Sequence, residues 1–428
     1  MIQPPGCSGV QALIYNKLLP YLEDSGWEFH FAGPAPHLFS VLTETLQYPR
    51  ERLHYTNNVS FSHRFSIKKN RCSKNSPPFI FFGLLQFLFR AIERLTGHNS
   101  DAYLLRGLEN VVQQAEREWN FDLIAGKSPE FKVLQLVSQL TWSMNKPFLA
   151  MVVDPYGARD ESGFYPKTPE IQRKILNQSC ATVFMSPLTM ERYIKAGLVD
   201  QDKAKFFTDS YPEMPELYQA NRSLLARNKS NLTSAKRKLT MVYLGMLPEW
   251  RPIEPLLDAL GDGENQTDSS SPFLISIFGY VYPAAKQRIS TSAKLSQMIH
   301  IYPIVSYAQS HFLAEDADIQ LVVIGPRHID NFPSKFFEYL AHQKPVLVLG
   351  PLQNPLKSIM DSLEIGLYVD SKDSQAIGEA LRSLQSNYMK FKNAYHHHAK
   401  AIETFSAHQV AENFCRILDQ AMINASEN

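Results

Sequence analysis

Short apolar runs alternate with helix-period segments through most of this chain, and that alternation restricts its fold more than any other feature. From Asn120 the order is strand FDLIAGK, helix FKVLQLVSQLTWSM, strand PFLAMVVD, loop DPYGARDESGFYP, helix TPEIQRKILNQ, strand ATVFMS, helix LTMERYIKAG and strand KAKFFTD. It restarts at Lys238 with strand KLTMVYLG, loop MLPEWRP, helix IEPLLDAL, linker GDGENQTDSSSP and strand FLISIFG. Helix AAKQRISTSAKLSQMI, strand HIYPIV, helix YAQSHFLAED and strand IQLVVIG follow. Apolar strands separated by helices are what a parallel sheet with helical crossovers requires. The expected fold class is α/β, with two Rossmann-like domains facing a central cleft and ligands outside the carboxyl ends of the strands.

At 428 residues the chain exceeds the size at which one core stops growing, so two domains are expected. The two prolines and the polar, basic stretch between Tyr211 and Lys238 mark the break. The expected division is 1–212, a first Rossmann-like domain; 213–238, a linker; 239–405, a second Rossmann-like domain; and 406–428, a terminal helix packing back on the first domain. A formal net charge of +1 gives no reason to expect a nucleic-acid partner. Cys7, Cys72, Cys180 and Cys415 form no CxxC pair, which argues against a zinc site or a disulfide framework and fits a reducing cytosol. No signal peptide is visible, so the Asn-x-Ser/Thr sequons, among them those starting at Asn58, Asn221, Asn228, Asn231 and Asn265, read as chance matches.

The stretch DNFPSKFFEYLAHQKPVLVLG, Asp330 to Gly350, concentrates the candidate chemistry. A proline-marked turn enters a helix whose free N–H groups carry roughly half a positive charge, a seat for phosphate. Ser334 reads as its N-cap, with Lys335 beside it and Glu338 one turn along the same face. A lysine at a helix start opposes the dipole, a cost that an anion nearby would offset. The bland readings are a solvated Glu338, ordinary turn chemistry at Asp330, and a surface cation at Arg251.

At the amino end, PPGCSG is read as a loop before a helix from about Val10 to Asp24, with Ser8 and Gly9 as ligand-facing candidates, followed by strand WEFHFAG. A βα unit should begin with a strand, and none precedes that loop. Asp154 and Lys127 fall at strand ends, although Asp-Pro is also a common turn. Between Phe61 and His98 the basic run KKNRCSK, Lys68 to Lys74, precedes the aromatic segment Phe79 to Arg90. Two readings stand side by side: a buried helix pair, or a patch for an anionic membrane surface. The apolar run falls short of the ~20 residues a membrane-spanning helix needs.

The strings NFPSKFFEYLAHQKPVLVLGP and GLYVDSKDSQAIGEAL, with FDLIAGKSPEF and KPFLAMVVDPY in the amino half, resemble retaining GT-B glycosyltransferases of family 4. KPFLAMVVDPY is similar to the Asp-Pro-Trp loop of members that build bacterial exopolysaccharides, with Tyr156 for tryptophan. The resemblance spans nearly the whole chain and is loosest between Tyr55 and Asn120. It implies a GT-B fold and two donor-facing acids separated by seven residues. Glu338 fits the second position and would bind ribose hydroxyls; the first holds Asp330 where glutamate is usual. It also implies diphosphate contacts from Gly245, Arg251 and the turn Phe332, Pro333, Ser334 and Lys335, with Met246 standing where an arginine is usual.

The implied function is hexosyl transfer from a nucleotide-diphosphate sugar to a glycan or lipid-linked hydroxyl acceptor, with retention, without a metal or other cofactor, in the cytoplasm or on the inner face of the membrane. Two alternatives stay open. One is an epimerase or inverting transferase on the same fold, for which Asp154 is the candidate base. The other is a non-catalytic nucleotide-sugar-binding scaffold in polysaccharide assembly. Asp316-Ala317-Asp318, Asp200-Gln201-Asp202 and His396 to His398 are declined as metal sites, the last because helix neighbours project ~100° apart.

Overall fold

The computed structural model describes residues 10–35, 48–58, 61–70, 76–95, 100–127, 131–160, 163–212, 238–261, 272–326, 328–330 and 332–427. The candidates Ser8 and Gly9, the basic residues Arg71 and Lys74, and 213–237 of the expected linker lie outside the described residues.

In the amino half, β1 (Phe31–Pro34) pairs in parallel with β2 (Leu53–Thr56). A four-stranded parallel sheet runs in the order β3 (Ile124–Lys127), β4 (Phe148–Val152), β7 (Ala181–Phe184), β8 (Ala204–Phe206). The segment expected as a loop after β4 instead forms an antiparallel hairpin, β5 (Gly157–Asp160) with β6 (Gly163–Pro166).

The carboxyl half is one six-stranded parallel sheet built from β9 (Leu239–Leu244), β10 (Phe273–Phe278), β11 (Ile299–Tyr302), β12 (Ile319–Val323), β13 (Val346–Gly350) and β14 (Gly366–Asp370). Its order is β11-β10-β9-β12-β13-β14. Alternate residues enter opposite cores: Met241, Tyr243, Leu321, Val323, Leu347 and Leu349 on one face, Val242, Leu244, Val322, Val346 and Val348 on the other. Burial on both faces is why these strands read as unbroken apolar runs. The order reverses between β9 and β12. Their ladder is short, with only Met241 opposite Ile319 and Val242 opposite Gln320, so their carboxyl ends part and open a crevice.

The helix Ala407–Ser426 shares a core with Ile14, Leu18 and Leu22 of the first helix, Val10–Asp24. Phe414 meets Phe207 at 4.8 Å, and Asn424 Nδ2 donates to Cys180 O at 3.2 Å. Cys180 and Cys415 are buried and unpaired with each other, and burial raises both thiols above their ordinary range.

Several expectations need correction. The helix expected over 284–299 breaks at Ser292, whose hydroxyl accepts from Leu295 N and starts a new helix, Ala293–Met298. Ser334 is the first helical residue and not the cap; Pro333 holds the cap position, with no side-chain cap bond. The helices Phe61–Asn70 and Pro77–Leu95 pack together through Phe65 against Phe82 and Phe89, but they are not a buried pair. Phe81, Leu84, Phe87 and Leu88 are all more than half exposed, and Phe87 is 75% exposed. No described helix is long and apolar enough to cross a membrane.

Candidate functional site

The loops leaving β9, β10 and β12 meet at the crevice. Gly245 has φ +147° and Gly279 φ +142°, a region that L side chains rarely adopt, and a Cβ on Gly279 would overlap Gly245 O. A Cβ on Gly325, after β12, would likewise overlap Trp250 O. The loop after β9 is therefore held in backbone contact with both neighbours. Within it, Tyr243 Oη donates to Met246 O at 3.0 Å and Arg251 N to Pro248 O at 2.8 Å. The Arg251 guanidinium lies 4.6 Å from the Trp250 ring and donates to Met246 O at 3.4 Å. It is folded onto its own loop, while Met246 projects outward, 58% exposed.

On the other side of the crevice is the helix Ser334–Leu340, whose Phe336, Phe337, Tyr339 and Leu340 are buried and fix its roll. Glu338 is only 4% exposed, so it is not the solvated residue of the bland reading. Lys335 Nζ donates to Glu338 Oε2 at 2.6 Å and lies 5.5 Å from the Tyr307 ring. The lysine's unfavourable place at a helix start is thus offset by a carboxylate one turn on. Behind this pair, His311 Nδ1 and His342 Nε2 approach to 3.0 Å, and Tyr307 packs edge-on to His311 at 4.6 Å. Burial lowers both imidazoles to about 3, so the pair is neutral.

The turn ahead of the helix reaches the amino half. Asp330 is 3% exposed and accepts from Thr189 Oγ1 at 3.3 Å. Phe332 packs tilted on Phe337 at 5.1 Å and edge-on to Phe206 at 6.2 Å, so Phe332 serves as packing between the halves. Asp154 follows β4 by two residues and is exposed at that strand's carboxyl end. Lys127 ends β3, fully buried, with Nζ donating to Tyr15 Oη at 3.2 Å. Lys17 pairs with Asp209 at 2.7 Å and donates to Ser210 O at 2.6 Å, tying the first helix to the segment that leaves the amino half.

Gly245 and Arg251, on the loop after β9, and Pro333, Ser334, Lys335 and Glu338, beyond β12, follow the two strands that flank the switch point of one sheet, with Asp330 and Phe332 at its junction with the other half. Sequence reasoning missed Tyr307, Thr189, Phe206 and the two histidines. Only Tyr307 carried a signal, as the first helical residue after β11. Asp318 Oδ2 accepts from Thr240 N and Oγ1, both at 2.9 Å, which makes it a structural clamp. His396 and His397 are exposed. Among the described residues, no group of three or more His, Cys, Asp or Glu side chains is placed to hold a metal ion.

The sequence matches no protein-family model and no curated protein. The fold does match solved structures. Anabaena HepE in complex with UDP aligns over 98% of both chains at a TM-score of 0.59 and 12% identity. A glycosyltransferase from Rickettsia africae aligns over 98% of this chain and 97% of its own at 0.61 and 14%. A trehalose 6-phosphate synthase from Burkholderia multivorans aligns over 100% and 99% at 0.57 and 10%. This chain has the GT-B fold, over essentially its whole length.

Proposed function

We propose that this chain transfers a glycosyl unit from a nucleotide-diphosphate sugar to a hydroxyl acceptor. The observation that carries the reading is the buried Glu338 carboxylate, paired with Lys335 beside Tyr307 at the open switch-point crevice of a GT-B fold. A carboxylate held there suits the vicinal hydroxyls of a ribose, and the Tyr307 ring offers a face for a base. HepE, similar in fold, holds UDP and, in a second structure, UDP-glucose.

Breaking the glycosidic bond gathers negative charge on the departing diphosphate, so the chemical demand is electrostatic. Arg251, swung from Met246 O, Lys335, and the backbone amides of the Gly245 loop and the Pro333 turn would meet it without a divalent metal. Retention follows if the acceptor proton passes to the leaving phosphate on the face where the bond breaks. The sugar is a hexose in this reading, and the enzyme belongs with the family 4 retaining transferases.

A panel of nucleotide sugars assayed for release of nucleoside diphosphate tests the activity, and NMR of the product's anomeric centre tests retention. Glu338→Gln is expected to weaken nucleotide binding by about 10- to 150-fold, the equivalent of about 1.5–3 kcal/mol for a hydrogen bond to a charged group. Unchanged affinity and turnover in Glu338→Gln and Arg251→Ala would refute the site. Both cations are engaged within the protein, by Met246 O and by Glu338, and that favours one rival, a nucleotide-sugar binder without turnover. Binding of a donor with no release across a broad acceptor panel identifies it.

The acceptor in this reading is lipid-linked or a polysaccharide intermediate, met at an anionic membrane surface. The support is the exposed face of the helix Pro77–Leu95 beside Lys68 and Lys69, whose Nζ atoms lie 5.8 Å from the Phe82 ring and 5.0 Å from the Phe79 ring. Flotation with phosphatidylglycerol vesicles should carry the protein upward at low salt, and Phe87→Asp should abolish it. Equal flotation of the variant would remove this helix from the membrane reading.

A further inference from the structure

A cavity lies at the far end of the amino half. Four residues at about 3.3 Å each put the amino ends of β1 and β3 roughly 13 Å from the carboxyl ends that face the crevice. The segments entering β1 and β3 line this cavity of about 380 Å³. That volume falls within the roughly 300–1,000 Å³ of small-molecule pockets. Its floor is apolar, with Ala32, Val112 and Ala115 among its residues.

The walls mix ring faces with hydrogen-bonding edges. Trp119, 38% exposed, packs on His30 at 4.5 Å, and Phe121 packs on it at 5.0 Å. His30 Nε2 lies 2.8 Å from Glu28 Oε1, and His30 Nδ1 lies 3.0 Å from His54 Nε2. The hydrogen bond from His30 holds Glu28 below the usual carboxylate range, so Glu28 is ionised and acts as an acceptor. His54 adds a second imidazole edge to the cavity wall, and burial, then the neighbouring imidazole, lower its pKa.

We propose that this cavity binds a saccharide unit, at a place separate from the crevice. A sugar ring has an apolar C–H face and an edge of hydroxyls, matching Trp119 and Phe121 beside Glu28, His54 and Asp122. The acids alone would also suit a cation, but Arg52 stands 3.5 Å from Glu28 Oε2 and supplies compensating positive charge. A neutral polyol is therefore the better match. In a chain that extends glycans, such a site would hold one part of a long substrate while another part reacts; only that role rests on the transferase reading.

Saturation-transfer NMR with glucose, galactose, mannose, N-acetylglucosamine and their common disaccharides tests the site without any need for turnover. At least one sugar is expected to bind, with affinity falling tenfold or more in Trp119→Ala and in Glu28→Gln and unchanged in the crevice variant Glu338→Ala. If thermal melting shows that Trp119→Ala is unfolded, Asp122→Ala, at the exposed rim, carries the same test. The proposal is overturned if no sugar in the panel binds, if binding survives the cavity variants or disappears in Glu338→Ala, or if tetramethylammonium binds where the sugars do not.

Discussion

The His311–His342 pair makes the carboxyl half acid-sensitive by an amount that can be worked out. Both imidazoles are lowered by burial to about 3, against an unfolded value near 6.5. Between those limits the unfolded chain binds more protons than the folded one, so stability falls as pH drops from 6.5 toward 3. At pH 5 an unfolded histidine gains RT ln(1 + 10^1.5), about 2.1 kcal/mol, and at pH 7 about 0.2 kcal/mol. Two such groups cost about 4 kcal/mol between pH 7 and pH 5, a figure insensitive to the folded value as long as that value lies below about 4. Urea unfolding of the wild type and of the double variant His311→Gln/His342→Gln at both pH values isolates the term, because the other titrating groups are common to both. A wild-type loss no greater than that of the variant would refute the reasoning. Because the folded pair stays neutral down to about pH 3, it is expected to leave the nucleotide affinity of the folded protein unchanged between pH 7 and pH 5.

Other perturbations bear on the frame around the crevice. Gly279→Ala combines a positive φ, costing about 1–3 kcal/mol, with overlap of Gly245 O; it should lower Tm by several degrees and weaken nucleotide binding in a thermal-shift assay. Gly378→Ala is the control: a Cβ there meets nothing closer than 3.7 Å, so the helix Ser374–Ser386 should gain up to about 1 kcal/mol. Phe414→Ala removes a fully buried ring packed on Phe207 and should cost about 3–5 kcal/mol, read by urea unfolding; a loss below 1 kcal/mol would mean that the terminal helix does not hold the amino half.

What the sequence revealed follows from what each local pattern encodes. Strands β9, β12 and β13 were legible because both faces are buried, leaving no polar alternation to confuse them. WEFHFAG reads as one strand, yet only its end pairs, from Phe31; Trp27 to His30 line the rear cavity, and an aromatic, apolar string does not distinguish a ladder from a pocket wall. The break at Ser292 was hidden inside a helix-period segment because a serine that starts a helix looks like one that merely sits within it. In the site, the spacing of Lys335 and Glu338 placed them on one face of one helix, and their pairing follows from that geometry. Contacts such as Thr189 to Asp330, 141 residues apart, or His311 to His342, from different elements, have no local signature.

Asp330 is where the two halves and the proposed chemistry meet. Its carboxylate is buried and accepts from Thr189 at the start of a helix in the amino half, while two residues on Phe332 fills the space between Phe206 and Phe337. The halves are also linked where the chain crosses back: Tyr211 N donates to Phe405 O at 2.9 Å, and Tyr211 bridges Ser406, the cap of the terminal helix. Asp330 is thus a junction residue between the halves, whereas Glu338 pairs within its own helix with Lys335, one turn away.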